Sequence, residues 1–389
     1  MRLKLLLPVI RPANFISPRK CRQPGCPGMR FIPRQEVSKN VVDTQHQVVT
    51  AWRYECRTCG CTFRVYPEGV NAKQISQRVN GIAVMLYILG LSYGAVELML
   101  SSLGVSMGKS SVYRAVQAVI DQIPGMKKEE LKEKKYTTKA VGADITSIRC
   151  NGVWIPVGIV VDATNGIVIS IDQLPGEETE QLKAWLEPIL EVVDADVLVT
   201  DDADAFKKIS DETGRSHQVC KSHVGRNTDA LVEELSAIIQ SGQDHSLEAI
   251  EIKPEQALEH LAKLKEMIHT RCPEDQSQLE EIYLRYANAP KPGKGKKHNL
   301  AYRLRNLFMD RWNLWPRLCF YRTWKDEYGN EIVDGTNNHC ERAIGWWIKE
   351  RYRSMRGYKQ ERSALGMSRL IACAGNNLSH GLRLADLMA

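Results

Sequence analysis

The sequence predicts a multidomain protein of mixed α/β character: a small cysteine-rich module, a helical module, and an α/β domain interrupted by an all-helical insertion. Five of the 11 cysteines lie within the first 61 residues, which sets the N-terminal module apart. Strand-like and helix-like apolar patterns then alternate, and further along the chain the strand pattern disappears. The predicted segments are residues 1–70, 71–135, 136–223, 224–330 and 331–389.

The charge of the chain is unevenly distributed. The 389 residues carry a net charge of +7 at pH 7. Residues 1–80 contain 14 Lys and Arg against 4 Asp and Glu, and residues 291–325 contain 10 against 1. Basic side chains bind phosphates with release of counterions, so these two blocks indicate a nucleic-acid partner. Solubility alone is the alternative explanation of the excess charge.

No apolar run is long enough to span a bilayer, so we expect no membrane association. The apolar start is followed by Arg11 and Pro12 without a small-residue cleavage site, which argues against a secretory signal. We therefore expect a cytoplasmic protein, associated with the nucleoid if the source is prokaryotic. An odd number of cysteines without a secretory signal argues against disulfides and in favour of metal binding.

Two pairs of cysteines in the first segment have the spacing of a zinc ribbon. Cys21 and Cys26 form the first pair, and Cys56 and Cys59 form the second. Thiolates from two turns close a tetrahedral site for one structural Zn²⁺ ion. Cys61 is an alternative to Cys59 as the fourth ligand, and buried or incidental cysteines are the alternative to a metal site.

Residues 71–135 predict a helix-turn-helix, followed by a charged linker at residues 127–135. Ser92 is placed to cap the first helix, and Gly104 supplies the turn. The second helix presents side chains that suit base edges and phosphates. These candidate DNA-binding residues are Lys109, Ser111, Tyr113 and Arg114. A plain packing module is the alternative, because helical hairpins are common.

Residues 136–223 alternate strands and helices in a diagnostic order. Three strands come first, followed by a helix, a buried strand, a second helix and a last strand. The predicted strands are residues 139–145, 153–161, 167–171, 197–200 and 217–220. An antiparallel hairpin set followed by parallel strands is the chain order of a ribonuclease-H-like fold.

Three carboxylates are the candidate catalytic residues. Asp144 lies inside the first strand, where a charged side chain is costly unless it is functional or paired. Asp201 ends a buried strand, at the edge where the sites of open sheets form. Asp202 and Asp204 compete with it, because either is also placed to cap the next helix. Glu341 lies on a late helix of the last segment.

The order of these motifs resembles that of the DDE transposases of prokaryotic insertion sequences and their Mutator-like eukaryotic relatives. Asp144 opens an Asp-x-Thr segment before a long apolar hairpin. The segment Thr-Asp-Asp-Ala-Asp-Ala-Phe matches the register of the family's second aspartate, which favours Asp201 over Asp202. The further matching motifs are Cys220-x2-His223 and Thr336-Asn-Asn-x2-Glu341.

The resemblance implies a two-metal enzyme in which Asp144, Asp201 and Glu341 hold two Mg²⁺ or Mn²⁺ ions. It implies cleavage of DNA at the terminal inverted repeats of a mobile element, then strand transfer of the freed 3′-hydroxyl into target DNA. A homodimer on DNA is expected, because two ends are cut together. The alternatives are a transposase-derived DNA-binding regulator without nuclease activity, and a nuclease that acts on other nucleic acid.

Other polar side chains accompany these motifs. Cys220 and His223 are either zinc ligands, in a site that Cys150 or His217 would complete, or they stabilise a strand-to-helix junction. Basic residues follow Glu341 at helical spacing, where they either grip DNA phosphates or form a solvated face. These residues are Arg342, Arg351 and Arg353.

Overall fold

The computed structural model describes residues 4–123, 136–293, 295, 297–355, 358–377 and 381–388. The predicted linker at residues 127–135 lies outside the described residues. The chain divides into two compact units, each built from separate stretches of sequence. The first unit is Met1–Met126, Ser147–Ile155 and Ile344–Ala389, and the second is Lys127–Thr146 and Pro156–Ala343.

The first unit begins with a β-rich module. Strands β3, β4 and β5 form an antiparallel sheet, and β2 pairs with β6 in a separate ribbon. The six strands are β1 Leu5–Leu6, β2 Arg11–Phe15, β3 Phe31–Asn40, β4 Val48–Cys56, β5 Thr62–Val65 and β6 Pro67–Glu68. Their apolar core is small, with Ile10, Val41, Val49 and Val70 at its centre. A core of this size favours additional stabilisation by a metal site.

Three helices follow in the same unit: α1 Gln77–Ile88, α2 Tyr93–Ser102 and α3 Lys109–Gln122. The Ser92 hydroxyl caps α2 by accepting a hydrogen bond from the Ala95 N–H at 3.2 Å. Gly104 adopts φ +73° in the connection to α3, as the sequence predicts.

A five-stranded mixed sheet carries the α/β part of the chain, in the order β11-β10-β7-β8-β9. Its strands are β7 Ala140–Cys150, β8 Val153–Asp162, β9 Val168–Gln173, β10 Val197–Thr200 and β11 Ser216–Val219. Strand β10 pairs parallel with β7 and β11, whereas β8 and β9 are antiparallel. Helices α4 Thr179–Val192 and α5 Asp204–Thr213 connect the later strands. The predicted chain order of strands and helices is therefore confirmed.

The helices after β11 form a second apolar core within the second unit. They are α6 Lys221–Ser241, α7 Pro254–Thr270, α8 Gln276–Tyr286 and α9 Leu300–Thr323. The aromatic side chains of Tyr286, Phe308 and Trp315 are fully buried there. Among the described helices, none combines the length and the apolar character that a membrane span requires.

The C-terminal segment is helical but broken. Helix α10 Asn338–Ala343 is followed by a π-helical turn, Ile344–Lys349, and then by α11 Glu350–Met355. Helix α12 Glu361–Asn376 comes next, and β12 Leu382–Arg383 pairs with β1. A π turn changes the angular spacing of the residues that follow it. A helical spacing of three to four residues counted from Glu341 therefore does not predict the directions of the Arg351 and Arg353 side chains.

Gly158 of β8 provides a test of the α/β packing. A Cβ atom at this position would lie 2.6 Å from Cη2 of Trp185, a large partly buried ring on α4. We expect Gly158→Ala to lower the free energy of unfolding by about 1–3 kcal/mol, because the indole must move. The matched control is Gly225→Ala in α6, where a Cβ meets no neighbouring group within 4 Å. Urea denaturation of both variants checks the prediction, and equal midpoints would contradict it.

Candidate active site and metal centres

Four cysteines of the first unit converge at one point. The sulfur atoms of Cys21, Cys26, Cys56 and Cys59 all lie within 4.8 Å of one another. The Sγ atoms of Cys21 and Cys59 are 3.7 Å apart, and those of Cys26 and Cys56 are 3.9 Å apart. Zn–S bonds of about 2.3 Å in a tetrahedron place the sulfurs about 3.8 Å apart. The cluster is therefore compatible with the predicted zinc site.

The local backbone supports negative charge on these sulfurs. The N–H groups of Gln23 and Gly28 donate to the sulfurs of Cys21 and Cys26 at 3.4 and 3.3 Å. The backbone N–H groups of Cys59 and Thr58 outweigh burial and lower the pKa of Cys56 to about 6. At Cys21 and Cys26 the backbone bonds also lower the pKa, but burial and the neighbouring thiols outweigh them, so both pKa values are raised. Cys61 lies outside the cluster, and its thiol donates to the side chain of Gln23 instead. Cys59 is thus the fourth member of the cluster.

Asp144 occupies the middle of β7 and is half-buried. Its Oδ1 accepts a hydrogen bond from the N–H of Ile145 at 2.7 Å. Burial raises its pKa to about 6, and the negative charges of Asp201 and Glu341 act in the same direction, while His223 opposes them. The three predicted carboxylates therefore lie close enough for their charges to interact.

Asp201 follows β10 directly, and its Oδ1 accepts from the N–H of Ala203 at 3.2 Å. The two competing aspartates are paired elsewhere. Lys207 lies 2.8 Å from an oxygen of Asp202 and 3.1 Å from one of Asp204. Asp201 is thus the member of this cluster whose charge acts on Asp144.

Glu341 lies on α10, and a residue that the sequence analysis did not single out holds the start of this helix. Asn337 is buried, and its side-chain amide donates to the carbonyl oxygen of Ala143 at 2.9 Å. Its backbone N–H donates to the sulfur of Cys220 at 3.2 Å. Gly142 leaves space for this contact, because a Cβ there would lie 2.9 Å from the Asn337 oxygen. Asn337 therefore anchors α10 beside Asp144.

Thr336 takes part in the turn that precedes α10. Its hydroxyl donates to Asp334 at 2.6 Å and lies 3.5 Å from the N–H of Asn338. The Glu341 N–H bonds instead to the carbonyl oxygen of Asn337 at 3.1 Å. Hydrogen bonds within the turn before α10, and to the carbonyl oxygen of Asn337, therefore hold this turn in place.

The three carboxylates are spaced more widely than the ligands of one ion. Within the described part of the chain, the groups whose ligand atoms all lie within 4.8 Å do not include this trio. Two ions about 4 Å apart, each about 2 Å from its oxygens, place opposite ligands up to about 8 Å apart. Among the described residues, the trio therefore does not form a compact site for a single ion.

Cys220 and His223 meet Glu341 rather than the partners that the sequence offered. The His223 Nε2 atom lies 3.5 Å from the Glu341 Oε1 atom, and the Cys220 sulfur lies within 4.8 Å of both groups. His217 is engaged elsewhere: Nε2 is 2.9 Å from the Thr200 hydroxyl, and Nδ1 is 3.0 Å from a nitrogen of Arg317. Burial, with Arg317 and Lys207, lowers the pKa of His217 to about 3, so the ring is neutral.

Helix α3 presents most of the predicted DNA-binding residues to solvent. Lys109, Tyr113 and Arg114 are exposed, and Ser111 is half-buried. The Arg114 guanidinium donates to the Ser111 hydroxyl at 3.1 Å. The helix starts at Lys109, and Gly108 is its N-cap. Lys109 therefore stands at the first helical position.

The three arginines that follow Glu341 have different environments. Arg342 and Arg353 are exposed, but Arg351 is buried. Its guanidinium lies 4.4 Å from the centroid of the Tyr87 ring, and it donates to the carbonyl oxygen of Leu91 at 3.2 Å. Arg351 thus makes contacts inside the first unit, which differs from the solvent-facing role expected from helical spacing.

Comparisons with known proteins identify no family. No protein-family model matches the sequence, and a search of curated proteins finds no match. A search of solved structures finds the Drosophila P element transposase strand transfer complex, with a TM-score of 0.27 and 11% sequence identity. The match covers 80% of this chain and 83% of that chain. A TM-score this low transfers neither fold nor function to this chain.

We expect replacement of Cys56 by Ser to remove one zinc ion per chain, because three thiolates hold zinc less tightly than four. Metal content of the purified full-length protein measures this. Cys61→Ser is the matched control, since its sulfur is nearby but outside the cluster. Zinc content unchanged by Cys56→Ser, or lost equally with Cys61→Ser, would contradict the four-cysteine assignment.

The raised pKa of Asp144 predicts a pH-dependent stability. Its charged form is disfavoured in the folded state, so Asp144→Asn should stabilise the protein without added divalent ions, by up to about 3 kcal/mol. The gain is full above the folded pKa of about 6 and disappears as the pH falls towards the ordinary Asp value of about 3.9. Urea midpoints across this range measure it.

The matched control for this experiment is Asp204→Asn, which changes an exposed carboxylate on α5. It should show no such pH-dependent gain. Excess Mg²⁺ should reduce the gain of Asp144→Asn, because only the wild-type carboxylate binds the cation. A stability of Asp144→Asn that follows the wild type at every pH would contradict the raised pKa.

Proposed function

We propose that this chain is a DDE transposase that cuts and joins DNA. The observation that carries the proposal is the half-buried Asp144 on β7, whose pKa is raised towards 6 by burial and by the charges of Asp201 and Glu341. Three elements far apart in sequence thus bring carboxylates to one place at an energetic cost. Such a cost is expected at a functional site that a cation completes.

The topology supports a ribonuclease-H-like assignment of the α/β part. In chain order, its first strand lies at the centre of the sheet, the second and third lie on one side, and the fourth and fifth lie on the other. The pairing of β8 with β9 is antiparallel, and both pairings of β10 are parallel. Asp144 lies on the central strand, β7, and Asp201 lies directly after the neighbouring strand, β10.

The chemistry is phosphodiester exchange. Asp144, Asp201 and Glu341 would hold two Mg²⁺ or Mn²⁺ ions, which when bound supply activation of the attacking hydroxyl and charge stabilisation of the leaving oxygen. In the first reaction a water oxygen forms a bond to phosphorus and the P–O3′ bond breaks, which leaves a 3′-hydroxyl and a 5′-phosphate. In the second reaction that 3′-hydroxyl attacks a target phosphodiester and releases a target 3′-hydroxyl.

In this proposal most of the DNA contacts come from the first unit, and Arg342 of the second unit adds one. The exposed side chains of Lys109, Tyr113 and Arg114 on α3 suit groove and phosphate contacts, and the four-cysteine module lies within residues 1–80, where 14 Lys and Arg stand against 4 Asp and Glu. We infer that the protein recognises terminal inverted repeats and that the exposed side chains of Arg342 and Arg353 contact phosphates. We also infer that it acts as a homodimer, because two ends must be cut in one event.

The proposal predicts that Asp144→Asn, Asp201→Asn and Glu341→Gln each lower the rate of DNA cleavage by at least about a thousandfold, because each removes a metal-binding oxygen. Binding to DNA should be retained, since the exposed residues of α3 are unchanged. The substrate is a supercoiled plasmid that carries the two DNA segments flanking the gene, incubated with Mg²⁺ or Mn²⁺. Nicking, linearisation and joined products are measured on gels.

The control variant is Asp202→Asn, which changes the adjacent carboxylate that pairs with Lys207. It should keep its cleavage rate within about tenfold of wild type. Cleavage at the wild-type rate by all three carboxylate variants would end the assignment. Cleavage without any joined product would instead identify a nuclease, and binding without cleavage by the wild type would identify a DNA-binding regulator.

A further inference from the structure

We infer that Cys220, His223 and Glu341 form a second binding site for a zinc-like transition metal, and that a metal bound there competes with Mg²⁺ for Glu341. The inference extends the proposed function, because it concerns regulation of the same carboxylate. Cys220 and His223 belong neither to the four-cysteine cluster nor to the trio of Asp144, Asp201 and Glu341.

The ligand atoms of the three side chains lie close enough together to bind one metal ion. One donor atom from each of the three residues lies within 4.8 Å of the other two. The His223 Nε2 and Glu341 Oε1 atoms are 3.5 Å apart, and ligands on a tetrahedral Zn²⁺ with bonds of about 2.0–2.1 Å are separated by about 3.3 Å. Three protein ligands with a fourth position left to water is a common zinc arrangement.

The types of ligand at this site favour a transition metal over magnesium. A thiolate and an imidazole select zinc or cobalt over magnesium, which prefers oxygen. The Cys220 sulfur already accepts the Asn337 N–H at 3.2 Å, an interaction that supports a thiolate ligand. Cys220 is also the N-cap of α6, a helix of 21 residues, where the helix dipole stabilises negative charge.

The two ring nitrogens of His223 have different surroundings. The Nδ1 atom of His223 is buried, and among the described residues it has no hydrogen-bond partner. Its other nitrogen faces the Glu341 carboxylate. Cys220 and His223 are three residues apart at the start of α6, so both project from the same face of its first turn. One ring nitrogen of His223 thus faces the ligand cluster, and the other is buried without a hydrogen-bond partner among the described residues.

Glu341 links this site to the carboxylate trio. Its charge acts on Asp144 as well as facing His223, so one side chain serves two ligand sets. A metal held by Cys220 and His223 would draw the Glu341 carboxylate towards sulfur and nitrogen. Mg²⁺ held by Asp144 and Asp201 would then lose its third carboxylate, and zinc would inhibit the enzyme.

Cobalt binding to the full-length protein tests the site without DNA or activity. Wild-type protein is expected to bind two Co²⁺ per chain through thiolate ligands, one at the four-cysteine cluster and one here, each detected by its sulfur-to-cobalt charge-transfer absorption, which a Co²⁺ ion held by carboxylates alone does not show. Cys220→Ser and His223→Gln should each weaken the second binding event by at least about 100-fold, and Glu341→Gln should weaken it as well. His223 is partly exposed, so His223→Gln tests the site even if the buried Cys220→Ser change disrupts folding.

Two control variants separate this site from other thiols. Cys272→Ser removes an exposed cysteine that also lies beside a carboxylate, 2.7 Å from Glu274, and should leave both binding events intact. Cys56→Ser should weaken only the first event. A second Co²⁺ that persists at full affinity in both Cys220→Ser and His223→Gln would overturn the inference, as would a wild-type protein that binds only one.

Competition with Mg²⁺ tests the shared carboxylate. Excess Mg²⁺ should lower the apparent Co²⁺ affinity of the second site in wild-type protein, and Asp201→Asn should diminish that effect because Mg²⁺ then binds weakly. A Co²⁺ affinity that is independent of Mg²⁺ in the wild type would overturn the shared role of Glu341. Second-site Co²⁺ binding without DNA cleavage would refute the proposed function alone, and cleavage without second-site binding would refute this inference alone.

Discussion

The arrangement of the candidate site depends on placing like charges together and holding them there. Asp144, Asp201 and Glu341 raise the energy of one another in their ionised forms, and Asp144 is partly withdrawn from water as well. Packing must oppose this repulsion when no cation is bound. Asn337 contributes by bonding both to Ala143, next to Asp144, and to Cys220. Asn337 thus ties α10 to β7 through its side-chain amide and to the start of α6 through its backbone N–H.

The elements of the α/β part were predictable because each one carries a local signal. The buried strand at Val197–Thr200 is a short apolar run bounded by polar residues, and the helix after it ends at Gly214 with φ +65°. Asp144 was identifiable because a carboxylate inside an apolar strand is costly, and this cost does not depend on which residues lie nearby. Local pattern and burial energy were therefore sufficient to place Asp144 inside a strand and the aspartates that begin at Asp201 directly after one.

The side-chain contacts between distant segments were not predictable in this way. Asn337 bonds to a residue 194 positions away, and no periodicity in either segment encodes that pairing. The meeting of His223 with Glu341, rather than with Cys150 or His217, depends on how α10 packs beside the start of α6. Arg351 was misplaced for a related reason: the π turn at Ile344–Lys349 interrupts the helical spacing from which its direction had been inferred.

Glu341 illustrates why a site of this kind is sensitive to its metal. A carboxylate binds hard and borderline cations alike, so its own chemistry does not select between them. Selectivity must come from the neighbours, and here they differ on the two sides: oxygen from Asp144 and Asp201, and sulfur and nitrogen from Cys220 and His223. Glu341 is exposed whereas Cys220 is buried, so in the proposed scheme Glu341 is the member that turns between the two sets. The metal bound then decides, under that proposal, which set of ligands Glu341 completes.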